Sequence, residues 1–390
     1  EVVGGREEAR LIYLGVSHSL PPSSEPRLVV DIGGGSTEFI IGDGFVPRKM
    51  ESLYMGCVGY SLRFFPDGKI NKKNLSQAIL AARGELQAIA LDFSSEQHGE
   101  AVASSGTARA LQDILKLNGY SNGELTPDGL EALRAVMLKA GDWRALDLPG
   151  LRADRAPVLA GGFAIMSAVL SELEIEQMIV TTSAMREGIL YDLLGRFHHN
   201  DQRETTVEEF MRRYHVDRAQ AERVAALARE FLSQLDGELD ATHLDWAARL
   251  HEIGISVAHS GYHKHSAYII QNADMPGFSQ SDQEALAMLV LGHRGSLKKL
   301  PELDEPQWKP IIALRIAALI YRSRRDLKLP PITLTAKKES VNLRVDEAWL
   351  DANPLTCAAL LAEVDEWKMR KVELQVNPTR ADSNKKSAAA

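Results

Sequence analysis

Residues 28–42, LVVDIGGGSTEFIIG, constrain the fold more than any other stretch of this chain. An apolar run, Leu28-Val29-Val30, leads into Asp31; the glycines Gly33-Gly34-Gly35 follow, and a second β-prone run, residues 37–41, leaves. Two such runs around a glycine turn predict a hairpin. Glycines in a turn leave backbone N–H groups bare and able to close on an anion, and Ser36 and Thr37 add hydroxyl donors. Asp31 before the turn and Glu38 after it would flank that anion with carboxylates, the arrangement that holds a Mg²⁺ bridging phosphate oxygens. The alternative is a turn whose glycines serve geometry alone. Two helix-based phosphate motifs do not fit, because no Lys-Ser/Thr pair follows the glycines and no helix opens behind them.

With 390 residues the chain is too long for one ordinary core, so several domains are expected. A formal net charge of −8 argues against a general nucleic-acid binder, so a polyanionic ligand would need a local basic lining. The candidates are Arg48-Lys49, Lys69 with Lys72-Lys73, Lys264 between two histidines, and Arg322 with Arg324-Arg325; each is more often a solvated face than a binding site. No apolar run reaches the roughly 18 residues of a spanning helix, and there is no basic, apolar and small-residue leader. Neither membrane insertion nor secretion is indicated, which leaves only peripheral membrane association. Cys57 and Cys357 lie far apart and match no metal spacing, as suits a reducing cytoplasm.

Residues 1–26 read as a connector, helical or extended, ending at the breaker Leu20-Pro21-Pro22-Ser23-Ser24. From 27 to 196 strands alternate with helices. Residues 48–55 read as a strand, with Gly56-Cys57-Val58-Gly59 turning out of it. Residues 71–93 carry apolar side chains at helical spacing. Ala101-Val102-Ala103 reads as a buried strand running into Ser105-Gly106-Thr107 and a helix, a junction that presents N–H donors to an anion. Val158-Leu159-Ala160 before Gly161-Gly162 reads as the same strand–glycine–helix shape. Met178-Ile179-Val180 is a last strand, feeding Arg186-Glu187-Gly188. The Arg186 guanidinium suits a phosphoryl oxygen, and an ion pair with Glu187 is its alternative role.

Strand signals stop near Phe197-His198-His199-Asn200. Residues 200–326 read as all-helical, with helices over 207–214, 217–235, 243–253, 281–291 and 308–321. This region holds His251, Glu252, His259, His263, His265 and His293. No complete set of metal ligands is visible in it, and the histidines and Lys264 read as lining a polar or anionic surface. Residues 330–376 mix strand-like runs with one helix, a small α+β domain. Residues 377–390 lack apolar content and are expected to be disordered.

Asp31-Ile32-Gly33-Gly34-Gly35-Ser36-Thr37-Glu38 resembles the second phosphate motif of the exopolyphosphatase and guanosine pentaphosphate phosphatase family. The match continues in GREEARLIYLG (residues 5–15), Ser105-Gly106-Thr107, Arg186-Glu187-Gly188 and the histidine-rich segment near 251–268. What this resemblance implies is an α/β fold. It consists of a ribonuclease H-like lobe of the actin, sugar-kinase and Hsp70 superfamily, a helical domain like those named for a His-Asp pair, and the α+β domain. The resemblance makes Glu8 the catalytic carboxylate, Ser105, Gly106, Thr107 and Arg186 phosphate contacts beside Gly33 to Ser36, and Asp31 and Glu38 the ligands of Mg²⁺, with Mn²⁺ as the alternative. Ser183 and Met185 depart from the family's usual glycine and leucine.

It also implies a homodimer, and an upstream lobe carrying a first phosphate loop. The activity it implies first is release of terminal orthophosphate from inorganic polyphosphate, whose trailing part the helical and C-terminal regions would hold. The second is hydrolysis of guanosine pentaphosphate, pppGpp. Gly35, where that branch often has alanine, and HSGYHKHSAYIIQN (residues 259–272) look closer to the polyphosphatases. A non-catalytic module that binds polyphosphate or nucleotide is the reading of another class.

Overall fold

The structure, a computed structural model, describes residues 3–197, 201–237 and 240–379. The part of the expected tail beyond residue 379, and residues 198–200, lie outside the described residues. The chain divides into two compact units, Val3–Gln202 and the residues from Arg203 onward.

In the first unit, helix α1 (Gly5–Ser19) precedes strands β1 (Arg27–Ile32), β2 (Thr37–Asp43) and β3 (Val46–Leu53). Helices α2 (Cys57–Phe64), α3 (Lys72–Leu86) and the single turn α4 (Ala90–Phe93) lead to β4 (Glu100–Ser104). Then come α5 (Gly106–Leu117), α6 (Pro127–Ala140), α7 (Ala156–Glu172), β5 (Ile179–Val180) and α8 (Met185–Phe197). The strands form one mixed sheet in the order β3-β2-β1-β4-β5. The first three are antiparallel neighbours, and β4 and β5 run parallel to β1. This is the ribonuclease H-like lobe that the family resemblance implies.

The inner strands β1, β2 and β4 are buried on both faces, a pattern that demands helices on each side, whereas the edge strand β3 is partly exposed. Side chains alternate between the two faces. Val29, Ile40 and Val102 meet Ala9, Ile12, Tyr13 and Val16 of α1. Leu28, Val30, Phe39 and Ala103 pack on the other side with Phe163 and Ile165 of α7 and Leu75 of α3. Asp31 and Glu38 share the parity of Val29 and Ile40, so alternation puts both on the face that α1 covers.

Two sequence expectations change here. Val158-Leu159-Ala160 is not a strand; it lies inside α7, whose buried residues surround the whole helix and leave no amphipathic signal to read. Gly56 to Gly59 is not a free turn, since α2 starts at Cys57. Helix α6 went unread, although Thr126 caps it, Pro127 opens it and Gly141 closes it at φ +69°.

The second unit contains α9 (Gln202–Arg213), α10 (Arg218–Ser233), α11 (Ala241–Leu250), α12 (Tyr262–Asn272), α13 (Gln280–Gly292) and α14 (Glu305–Ile320). A three-stranded sheet follows, β6 (Thr333–Lys337), β7 (Ser340–Asp346) and β8 (Glu373–Thr379), with α15 (Glu347–Ala352) and α16 (Pro354–Lys368). Expected as separate domains, 200–326 and 330–376 are built around one apolar cluster; Ile316 of α14, Leu343 of β7 and Trp367 of α16 belong to it together.

Candidate functional site

The β1–β2 pairing runs in register from Arg27 with Gly42 to Ile32 with Thr37, so Asp31 and Glu38 stand directly opposite each other. Opposed residues of an antiparallel pair present their side chains on the same face. Both acids are buried, while Gly34 and Gly35 in the bend are exposed. The Gly33 N–H closes the bend on the Ser36 carbonyl at 2.9 Å. That removes Gly33 from the expected donor set and leaves the N–H groups of Gly34, Gly35 and Ser36 without a partner among the described residues. Thr37 is also removed from it, because its buried hydroxyl donates to the Met55 carbonyl.

The bend is braced from behind. Its Gly33 and Gly34 carbonyls accept from Cys57 N–H at 2.9 Å and Val58 N–H at 3.0 Å, the first turn of α2. At Gly56 a β-carbon would stand 2.3 Å from the Gly34 carbonyl carbon, so only glycine lets the two segments close. Sequence reading treated Gly56 as an ordinary turn residue; its place directly after the β-run of residues 48–55 was the available signal.

Asp31 is also the register partner of Ser104 at the end of β4. There Ser105 adopts φ +112°, a strained conformation for a side-chain-bearing residue, and its hydroxyl caps α5 by accepting from Ala108 N–H at 3.1 Å. The buried Thr107 hydroxyl donates to the Ile32 carbonyl at 3.1 Å, tying this junction to the hairpin. Both hydroxyls are therefore engaged in structure, which leaves the N–H groups of Gly106 and Thr107 as what this junction offers an anion. These segments meet at the carboxyl ends of parallel strands, where open α/β sheets place ligands.

Burial pushes the Asp31 carboxyl up to about 6, against the pull of Ser104; Glu8 raises it further and Arg109 lowers it. Glu38 is pushed up to about 7, again by burial first, with Ser36 and Ser52 pulling down and the charges of Glu8 and Asp31 pushing up. The Ser52 hydroxyl donates to Glu38 Oε1 at 2.9 Å. Neither acid forms an ion pair among the described residues. Two such oxygen donors, opposed on one face below an exposed bend, form a hard-oxygen donor set that fits Mg²⁺ or Mn²⁺.

Glu8 is placed by α1. The helix begins tight against β3, where a β-carbon on Gly5 would meet Ser52 Oγ at 2.7 Å, and it crosses α8 at two glycines. A β-carbon on Gly15 would stand 2.2 Å from the Ala184 carbonyl oxygen, and one on Gly188 would collide with the Leu11 carbonyl. Glu7 and Glu8 then take different roles. Glu7 is buried and holds Arg10 through two hydrogen bonds of 2.9 and 2.8 Å, and Arg10 reaches Asp192 of α8 at 2.6 Å. The half-buried Glu8 has no side-chain partner among the described residues and acts electrostatically on both Asp31 and Glu38.

Arg186 is exposed in the first turn of α8. Glu187 instead accepts from Ala184 N–H at 3.0 Å, and that bond, before any charge, holds its carboxyl below the usual range. The segment ahead of Arg186 is fastened to the strand ends, as Ser104 Oγ donates to the Ser183 carbonyl at 2.9 Å. Arg109, exposed in the first turn of α5, is a cation near the acids that sequence reading passed over.

Residues 1–197 match the Ppx/GppA phosphatase family, and residues 202–364 match Ppx/GppA phosphatase, domain III. The chain belongs to the Ppx/GppA phosphatase family. It is 37% identical, over 385 residues, to a guanosine-5'-triphosphate,3'-diphosphate pyrophosphatase of Pseudoalteromonas translucida, covering 94% of this chain and 77% of that one. A protein of the same name from Vibrio campbellii is 36% identical, over 93% of this chain and 75% of its own length. Among solved structures, an Aquifex aeolicus PPX-GPPA enzyme is 26% identical with a TM-score of 0.41, over 47% of this chain and 62% of that chain. An exopolyphosphatase from Cytophaga hutchinsonii is 22% identical with a TM-score of 0.43, over 50% and 65%. The chain thus spans less than two-thirds of these solved chains. No helix among the described residues is long and apolar enough to cross a membrane.

In the second unit, His251, His263 and His293 are buried and form a ring cluster, with centroids 5.0 and 6.2 Å from His293. His259 and His265 lie outside that ring cluster. Burial pulls the His251 and His293 imidazoles below their usual range. Glu252 pairs with Arg324 at 2.6 Å.

Proposed function

We propose that the hairpin site hydrolyses the terminal phosphoanhydride of guanosine 5'-triphosphate 3'-diphosphate. The observation that carries this reading is the opposed, buried and unpaired Asp31–Glu38 couple beneath an exposed bend, with Glu8 acting on both. Family membership makes the chemistry phosphate-ester or anhydride hydrolysis, and the activity for which the relatives are named supports the guanosine substrate over inorganic polyphosphate. Gly35 carries little weight against this, because a β-carbon there meets nothing within 4 Å and an alanine would fit as well.

Phosphoryl transfer depends mainly on positioning and charge neutralisation. Asp31 and Glu38 would hold a Mg²⁺, or alternatively Mn²⁺, which when bound supplies positive charge to the phosphate oxygens. The N–H groups of Gly34, Gly35 and Ser36 would receive the charge that develops on the transferring group, each donor worth on the order of 10²–10³ in rate. Glu8, not tied into the Arg10 pair, would orient the attacking water and accept its proton. Gly106 and Thr107 N–H groups, Arg109 and Arg186 supply further donors for the trailing phosphates.

Phosphate release by the full-length protein from the guanosine compound and from long-chain polyphosphate tests this reading. The expected result is a kcat/KM at least about tenfold higher for the guanosine compound, a difference of about 1.4 kcal/mol. The reverse order would return the assignment to polyphosphate, and release from neither would remove the hydrolase reading.

A further inference from the structure

The second unit contains a cavity of about 430 Å³ bounded by α12, α14, α16 and the turn after α13. That size is within the range of small-molecule sites. Its lining combines cationic and apolar side chains. Arg294 and Arg322 are exposed and make no ion pair among the described residues, and the Arg294 guanidinium lies 5.0 Å from the centre of the Tyr262 ring. Ala318 and Leu319 of α14 and Ala359 and Ala362 of α16 supply apolar surface.

Carboxylates in the lining are already engaged. Glu363 holds Arg315 in a two-bond pair, and Glu366 accepts from Leu297 N–H at 2.9 Å. Behind Gly295 in the cavity wall, His263 Nε2 and Lys299 Nζ come within 3.3 and 3.4 Å of the point a β-carbon would occupy. His263 Nδ1 is buried without a partner. Burial first, then the Arg315 and Lys264 charges, pulls Lys299 down to about 8. Burial and the Lys299 and Arg294 charges pull His263 down to about 4. Positive charge is therefore in excess around this cavity, and an anion would relieve it.

We propose that this cavity binds a nucleoside phosphate, its phosphates against Arg294 and Arg322 and its base against the apolar surface of Ala318, Leu319, Ala359 and Ala362. Inorganic polyphosphate would use the arginines and leave the apolar surface uncovered, so the nucleoside is the part that accounts for the whole lining. No residue of the cavity belongs to the unit that carries the hairpin, and the inference stands independently of the hydrolase reading.

Calorimetric titration of the full-length protein in EDTA, which removes divalent cations from the hairpin acids, tests the proposal with guanosine triphosphate and inorganic tripolyphosphate as probes. The expected result is saturable nucleotide binding that weakens about tenfold or more in Arg294→Met and in Arg322→Glu, since each removes a charged hydrogen-bond partner. Both side chains are exposed, so both variants should melt with the parent protein, and Lys139→Glu on α6 should bind as the parent does. Absence of nucleotide binding, or binding that survives both arginine substitutions, would overturn the site. Tripolyphosphate binding as tightly as the nucleotide would overturn the role given to the apolar surface.

Discussion

The hairpin region and the helical unit both bury acids, and they treat them in opposite ways. In the helical unit the acids taken out of solvent are matched by arginines, Glu363 with Arg315 and Glu252 with Arg324. At the hairpin neither Asp31 nor Glu38 has an ion-pair partner among the described residues, Glu38 accepts from the Ser52 hydroxyl, and burial raises both. A paired buried acid is part of a scaffold; two unpaired ones beneath a bend are what we propose as the ligands of a cation. The same contrast recurs within one turn of α1, where Glu7 is paired and Glu8 is not.

The largest expected effect separates those two neighbours. Glu8→Gln should lower kcat by roughly 10²–10⁴ while leaving substrate binding and stability nearly unchanged, as read by steady-state kinetics and denaturant unfolding. Glu7→Gln should cost about 3 kcal/mol of stability, because it leaves buried Arg10 short of a partner. Equal loss of turnover with equal stability in the two variants would erase the distinction between them. Next, Gly56→Ala should destabilise by about 2–3 kcal/mol and disturb phosphate release, since its methyl group would overlap the bend backbone.

Asp31→Asn sharpens the comparison through pH. A carboxyl raised in the folded state stabilises that state below its unfolded value, and the benefit is lost as pH rises through about 6. Without divalent cation, Asp31→Asn should therefore be more stable than the parent by about 2 kcal/mol at pH 8 and equal to it near pH 4, by thermal or urea unfolding. A stability difference independent of pH would mean Asp31 is not buried as a raised acid. The smallest effect belongs to Gly35→Ala, which should change stability by less than about 0.5 kcal/mol and leave the order of substrate preference intact.

Much of the hairpin was legible because its signals are local: an apolar run, a glycine turn and two acids bracketing it. The opposition of Asp31 and Glu38 follows from turn length and the two-residue period of a strand. What failed was long-range. The Val158-Leu159-Ala160 run reads the same in a strand and in a helix buried all round, and only the apolar residues after Gly162 distinguish them. The division between Glu7 and Glu8 depends on Arg10 and on Asp192, which sits 182 residues away from Arg10 on α8. The engagement of Thr37 and Thr107 with the Met55 and Ile32 carbonyls likewise depends on partners that sequence spacing does not reveal.

The most direct test is an NMR titration of the Asp31 and Glu38 carboxyl groups with and without Mg²⁺. Without the cation they should titrate near 6 and 7, and both should move down when Mg²⁺ is added. Ordinary values near 4, or raised values indifferent to Mg²⁺, would contradict a pair of buried acids waiting for a cation.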